Sequence, residues 1–430
     1  MHCPTLGALP SPLPNKRGWP WNGETPKFSR ALRAGIPWPK FTVVTPSLNQ
    51  GQFLEETIRS VLLQGYPNLE YIVIDGGSSD ESVEIIRKYE KWLAYWSSEP
   101  DRGQSHAINK GFRRATGEIV AWLNSDDVYE RDALRLGVTS LINHAADMVY
   151  GDCFVINERG EHLRRLDPPA FSLPNLLLDS FIPQPATFFR RHVFELIGLL
   201  DEDFNYAMDY DLWLRIASHF VVCKEKGVWA NYRICEGTKS CDQPAAFWPE
   251  IVVALERFYT QPKVSEALAR SRPNVLAHAN LRAAVEYYQV NQIREGRTHL
   301  YEAFKADPLL DTNPEQVLRV VATFASTLEP QASQEFVDKV FDNLPSDRLR
   351  LQSERSKVGR RALLLSFYRF APRRGRAWII TNLFDLLRDW RWLVQRPIFG
   401  ILLFLVGGDW VRKLADARHR LHQKPVTAVE

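Results

Sequence analysis

FTVVTPSLNQGQFLEETIRSVLLQGYPNLEYIVIDGGSSD, residues 41–80, is the stretch on which the fold of this chain turns. Its first six residues form a β-branched run closed by Pro46, the composition of a buried strand. Phe53, Leu54, Ile58, Val61 and Leu62 then recur at helical spacing, which predicts a helix over 53–64. Leu69 to Ile74 is a second apolar run and ends on Asp75-Gly76-Gly77. A further helix is expected over Ser82 to Tyr89, with acidic residues near its start and Arg87 and Lys88 near its end, as the helix dipole favours. Strands alternating with helices argue for an α/β sheet with parallel strands.

The same pattern extends outward. His106 to Ala115 reads as a helix closed by Gly117, and Glu118 to Leu123 as a third strand. A helix over 131–143, a strand over 147–156, a loop-rich segment over 168–185 and a helix over 209–219 follow. The last of these sets Leu212, Trp213, Ile216 and Ala217 on one face. In parallel sheets ligands gather at the C-terminal ends of the strands, and the polar clusters of this chain fall there.

The chain has 430 residues, 45% apolar and 24% charged, which excludes wholesale disorder. Its five cysteines include no C-x-x-C pair, so neither a disulfide framework nor a zinc site is expected. The opening MHCPTLGALPSPLP lacks a charged segment followed by an apolar one, and no apolar run reaches the ~18 residues of a membrane span. The expectation is a cytoplasmic protein with reduced thiols. Residues 1–39, rich in Pro and Trp, read as a leader, and 40–241 as the α/β domain. Residues 242–345 read as all helical, with AAVEYYQVNQIREGRTHLYEAFKADP similar to one tetratricopeptide unit. Residues 346–430 form a basic, aromatic tail. Net charge is only +3, yet residues 348–430 hold 18 Lys and Arg against 6 Asp and Glu. Trp378, Trp390, Trp392 and Trp410 lie among them, the mixture of a helix resting on anionic lipid as well as of a solvated basic face. No nucleic-acid module accompanies the charge, so nucleic acid is not the expected partner.

Three acidic clusters carry chemistry. Asp75 at a strand end, beside two glycines, suits a heterocycle or a sugar hydroxyl; the plainer alternative is a turn, with Ser79 or Asp80 capping the next helix. Asn124-Ser125-Asp126-Asp127 leaves a buried strand, where adjacent carboxylates need neutralising. Mn²⁺ or Mg²⁺ would do this and bridge a diphosphate, although capping of the next helix also fits. Asp209-Tyr210-Asp211 opens a helix, where an acid is favoured in any case, but a carboxylate beside a bound donor can also deprotonate a hydroxyl. Lys110 and Arg102 are candidates for a phosphate, and Gln184 for the acceptor side.

In this order the clusters resemble the family-2 glycosyltransferases over roughly residues 40–235. The resemblance rests on VVTPSLNQGQFLEETIRSVLLQGYPNLEYIVIDGGSSD, SEPDRGQSHAINKGFRRATGEIVAWLNSDD and QPATFFRRHVFELIGLLDEDFNYAMDYDLWLR. It implies a GT-A fold, a Rossmann-like mixed sheet flanked by helices, and an inverting transfer from a nucleoside-diphosphate sugar, UDP-linked by preference, to a saccharide or lipid-linked acceptor. It places Thr45, Pro46 and Asn49 along the nucleotide, Asp75 on its base, and Asn124 and Ser125 nearby. Asp126 matches the metal ligand, with Asp127 beside it, and Asp209 matches the catalytic base, with Asp211 as the second choice. The sequence departs from the family's pattern at Asn124, where D-x-D begins, and at Met208, where an acid precedes the base. Those departures leave a second reading, a catalytically degenerate sugar-nucleotide-binding adaptor. A dinucleotide fingerprint is excluded, because Gly76-Gly77 follows the second strand and lacks G-x-G-x-x-G spacing.

Overall fold

The computed structural model describes residues 3–12, 16–26, 28, 37–235, 237–262, 264–311, 314–345 and 349–370. The proposed membrane contact of the basic tail therefore lies mostly outside the described residues. The chain divides into two compact units, Met1–Val275 and Leu276–Glu430.

Among the described residues the first unit is built on nine strands: β1 Phe41–Ser47, β2 Leu69–Asp75, β3 Tyr95–Ser98, β4 Ile119–Trp122, β5 Val128–Tyr129, β6 Met148–Ile156, β7 His162–Leu166, β8 Thr187–Arg190 and β9 Val222–Arg233. Its helices are α1 Gly51–Leu62, α2 Ser82–Tyr89, α3 Gln104–Arg114, α4 Ala133–Asn143, α5 Leu173–Leu178, α6 Val193–Ile197, α7 Met208–Ala217, α8 Lys239–Asp242 and α9 Phe247–Tyr259. The strand order is β3-β2-β1-β4-β8-β6-β9-β5, with β7 on β6. From β3 to β4 every pairing is parallel. β8 runs antiparallel to β4 and β6, β7 antiparallel to β6 and β5 antiparallel to β9, so the whole sheet is mixed, as the GT-A resemblance implied.

β1 and β2 are buried along their full length, which is why they read as unbroken apolar runs rather than alternating ones. α1 buries Phe53, Leu54, Ile58, Val61 and Leu62, the five positions its spacing marked. α4 lies close to β8: a Cβ at Gly137 would stand 1.9 Å from the Phe188 ring, so only glycine fits there. Phe188 stacks on Trp229 of β9 at 5.4 Å, tying together β8 and β9, which flank β6 and run antiparallel and parallel to it. The segment expected to be loop over 168–185 contains α5, started by Leu173-Pro174, where a proline near a helix start loses no intrahelical bond.

The N-terminal segment packs into the same core, with Cys3, Leu9 and Trp38 buried in it. It is held by Arg59 of α1, whose guanidinium is wholly buried and donates to the carbonyls of Pro10 (2.9 Å), Pro20 (3.2 Å) and Trp21 (3.0 Å). Trp19 Nε1 donates to Tyr129 O at 2.7 Å.

The second unit opens within α10 Glu266–Gln289 and continues with α11 Ile293–Ala306, α12 Glu315–Ala325, α13 Pro330–Asp342, α14 Leu349–Ser353 and α15 Arg355–Phe370. Its core joins Leu281, Val285 and Tyr288 of α10, Leu300 and Phe304 of α11, Val317 and Val321 of α12 and Phe336 and Phe341 of α13. Among the described residues no helix is long and apolar enough to cross a membrane.

Candidate active site

The C-terminal ends of β1, β2 and β4 share one edge, because Ser47 is in register with Asp75 and Val44 with Trp122. Thr45 is buried and its hydroxyl meets Tyr71 Oη at 3.0 Å, with Pro46 buried beside it. Asn49 adopts φ 51° in the turn that follows, and its Oδ1 accepts the Ser79 N–H at 2.9 Å. Asp75 is fully buried. Its Oδ2 accepts Gly77 N–H (3.1 Å), Ser78 N–H (2.9 Å) and Ser98 Oγ (2.6 Å), and its Oδ1 accepts Ser78 Oγ at 2.5 Å. This carboxylate thus organises the turn at Gly77, where φ is +89°, and fastens β2 to β3. Asp80, beyond it, accepts Ser82 N–H (3.0 Å) at the start of α2 and Gly51 N–H (2.9 Å) at the start of α1.

The acidic turn lies between β4 and β5, well short of α4, so it caps no helix. Asp127 is fully buried, with Oδ1 accepting Arg233 N–H at 2.9 Å and Oδ2 accepting Asn124 Nδ2 at 3.3 Å. Burial, and then the neighbouring Asp126 charge, hold its carboxyl well above the usual range. Asp126 is pushed up to about 6 by burial, against the pull of the Arg233 guanidinium. Among the described residues, no side chain and no other residue's N–H donates to the Asp126 carboxylate. The turn is clamped by Arg233, 1% exposed, which donates to Asp126 O (2.8 Å), Asn157 O (3.0 Å), Glu158 O (3.1 Å) and Glu56 Oε2 (3.0 Å). Thr57 Oγ1 adds bonds to Ser125 O and Asp127 O at 2.9 and 2.7 Å.

α7 is brought to this turn by its third side chain past Tyr210. Trp213 stacks on Trp122, the last residue of β4, at 5.5 Å and 22°. Asp209 is four residues before Trp213, so both lie on one face of α7, and that face meets the strand that feeds the acidic turn. Asp209 accepts the Tyr210 N–H at 2.8 Å as well as its own N–H, and burial, with a smaller contribution from Glu250, pushes it up to about 6. Asp211 is directed elsewhere: its Oδ2 accepts Arg215 Nε at 2.8 Å and is ion-paired with that guanidinium. The Glycosyl transferase family 2 model matches residues 42–198. An uncharacterised glycosyltransferase of Mycobacterium tuberculosis (strain H37Rv) is 32% identical over 226 residues, 50% of this chain and 82% of that protein. The chain belongs to glycosyltransferase family 2. A PGL/p-HBAD biosynthesis glycosyltransferase of Mycobacterium bovis BCG is 30% identical over 188 residues, 42% of this chain and 71% of that protein. S. aureus TarS 1–349, solved in complex with UDP-GlcNAc, superposes with a TM-score of 0.49 at 19% identity, over 76% of this chain and 90% of that one.

In this glycosyltransferase Gln184 bridges two parts of the site, donating to Trp122 O at 2.8 Å and accepting Asn124 Nδ2 at 3.2 Å. The two candidate phosphate cations have carboxylate partners: Lys110 bonds Glu99 at 2.5 Å and Arg102 bonds Glu202. Four residues not marked in the sequence belong to the site's frame. Arg233 and Glu56 clamp the acidic turn. Gln104 Nε2 bonds Asn124 Oδ1 at 2.8 Å, and Lys239 Nζ bonds Asn205 O at 2.6 Å and Gln104 Oε1 at 3.3 Å. No sequence signal marks these, because each partner lies tens to more than a hundred positions away.

Among the described residues no group of three or more His, Cys, Asp and Glu is placed to enclose a metal. The acidic turn nevertheless fits a divalent cation held jointly with a substrate diphosphate, a mode that takes one or two protein carboxylates and completes its shell with phosphate and water. Asp126, half-buried and, among the described residues, with no donor from any other residue, is the group such a cation would satisfy.

Proposed function

We propose that this glycosyltransferase moves a sugar, with inversion, from a nucleoside-diphosphate sugar to a hydroxyl of a saccharide or lipid-linked acceptor, with Asp209 as the base. The observation that carries this reading is the Trp122–Trp213 stack, which turns the Asp209 face of α7 toward the strand leading into Asn124-Ser125-Asp126-Asp127. Asp209 accepts the proton of the acceptor hydroxyl, and a carboxyl poised near neutrality suits that task. The acceptor oxygen attacks the anomeric carbon from the face opposite the leaving diphosphate, so no protein nucleophile is needed. Asp126, with Asp127 beside it, would hold Mn²⁺ or Mg²⁺, which when bound offsets the charge that grows on the departing diphosphate. Asn124 and Gln184, cross-bonded at 3.2 Å, line the turn on the side of β8. Thr45, Pro46, Asn49 and the turn held by Asp75 form the edge offered to the nucleotide, UDP by preference. The basic tail over 348–430 is proposed to rest on anionic lipid, where lipid-linked acceptors lie.

The test is nucleoside diphosphate release from a panel of UDP-, dTDP- and GDP-sugars with Mn²⁺ or Mg²⁺, with and without a chelator. Chelator-sensitive release from one donor, lost in Asp126→Ala, is the expected result. Nucleotide binding with no release from any donor would instead favour the degenerate-adaptor reading, and absence of both would overturn the sugar-nucleotide assignment itself.

A further inference from the structure

The loop before α7 is held from one side by a single segment, 239–250, that lies beyond the residues matched by the family model. Lys239 of α8 bonds Asn205 O, Gln243 bonds the Tyr206 hydroxyl, and the Phe247 ring lies 5.4 Å from that of Tyr206. Glu250, on the first turn of α9, makes the densest contact. Its Oε1 accepts the Asn205 N–H at 2.9 Å, and its Oε2 accepts the N–H groups of Tyr206 (2.7 Å) and Ala207 (2.8 Å). Three successive backbone N–H groups converging on one carboxylate form an anion-binding nest at the positive end of a helix. Ala207 immediately precedes α7, and Asp209 is the second residue of that helix.

We propose that Glu250 is a positioning residue for the Asp209 base, fixing through these three bonds the turn from which Asp209 projects; the inference rests on the proposed role of Asp209. α7 has no side-chain cap of its own at Ala207, and the N–H groups of the three residues that lead into it are satisfied from α9. Removing Glu250 leaves those N–H groups unmatched and frees the loop to shift. A displacement of about 1 Å at a reacting group can cost on the order of a hundredfold in rate. Glu250 also brings negative charge near Asp209 and so favours its protonated form. The other charged groups around α7 act at different points. Asp211 is paired with Arg215, beside the ion pair of Asp201 with Arg257. Asp179, after α5, faces Tyr210, and Glu195 of α6 is exposed.

The experiment compares wild type, Glu250→Ala, Glu250→Gln and Asp209→Asn in metal-dependent release from the donor panel, measuring kcat, donor KM and the pH profile of kcat. Glu250→Ala is expected to lose roughly a hundredfold in kcat with donor KM changed less than about twofold, the pattern of misplaced chemistry rather than lost binding. Glu250→Gln keeps one oxygen for the loop and recovers part of the rate. Its acid limb moves to lower pH, because the charge beside Asp209 is gone. Wild-type kcat in Glu250→Ala, or a raised KM with unchanged kcat, overturns the proposal. If Glu250→Ala does not fold, Glu250→Gln decides, and an unchanged rate and pH profile in that variant overturns it. Asp209→Asn separates the two levels: an inactive Asp209→Asn beside a fully active Glu250→Ala removes only this inference, whereas an active Asp209→Asn removes the base itself.

Discussion

Replacing Arg233 by methionine removes four hydrogen bonds at once while keeping most of the buried volume. The guanidinium is 1% exposed and bonds Asp126 O, Asn157 O, Glu158 O and Glu56. Breaking a buried ion pair by removing one partner costs about 3–5 kcal/mol. Glu56, the partner left behind, has a side chain 18% exposed, so water can reach it and the lower end applies, about 3 kcal/mol. For a unit of this size that corresponds to a melting point lower by about 6–12 °C. Calorimetry on Arg233→Met, Glu56→Gln and the double variant would measure it. The double variant is expected to lose less than the sum of the singles by about 1 kcal/mol or more, since both touch one bond. Donor release should fall along with stability, because the carbonyl of Asp126 loses its anchor. A melting point within about 2 °C of wild type would refute the clamp, since surface substitutions alone give shifts that small.

Arg59→Ala leaves the carbonyls of Pro10, Pro20 and Trp21 without their donor, at about 1–3 kcal/mol for each that stays buried; limited proteolysis should then cut the N-terminal segment first. With Asp209 held near 6 by burial, the base is deprotonated above that pH and protonated below it, so kcat should fall about tenfold per pH unit on the acid side, read from steady-state rates between pH 4.5 and 8. Gly137→Val drives a side chain into the Phe188 ring and should cost several kcal/mol or prevent folding, measured by denaturant unfolding.

Although β3, the partly exposed YWSS, shows no such run, β1, β2 and β4 were legible because strands buried on both faces show as unbroken apolar runs: FTVVTP and LEYIVI need no partner to be recognised. β8 and β9 were not, since TFFR is four residues long and VCKEKGVWANYR mixes charges and a glycine along a partly exposed strand. The acidic positions stood out because carboxylates at the ends of apolar runs are chemically conspicuous. What they bond to was hidden. Arg233 reaches Asp126 across 107 positions, and Glu250 reaches Asn205 across 45. The choice between Asp209 and Asp211 also needed the fold: two residues apart on a helix, they point to different faces, one beside the Trp122 stack and one into Arg215.

The most direct test of the account is Asp209→Asn set against Asp211→Asn, each with nucleotide binding by calorimetry and metal-dependent diphosphate release. Asp209→Asn is predicted to bind nucleotide as wild type does and to lose release by about a hundredfold or more, the scale of a missing general base. Asp211→Asn should retain release within about tenfold, its loss confined to the Arg215 pairing. Wild-type release in Asp209→Asn, or loss confined to Asp211→Asn, would contradict the assignment of the base and with it the mechanism.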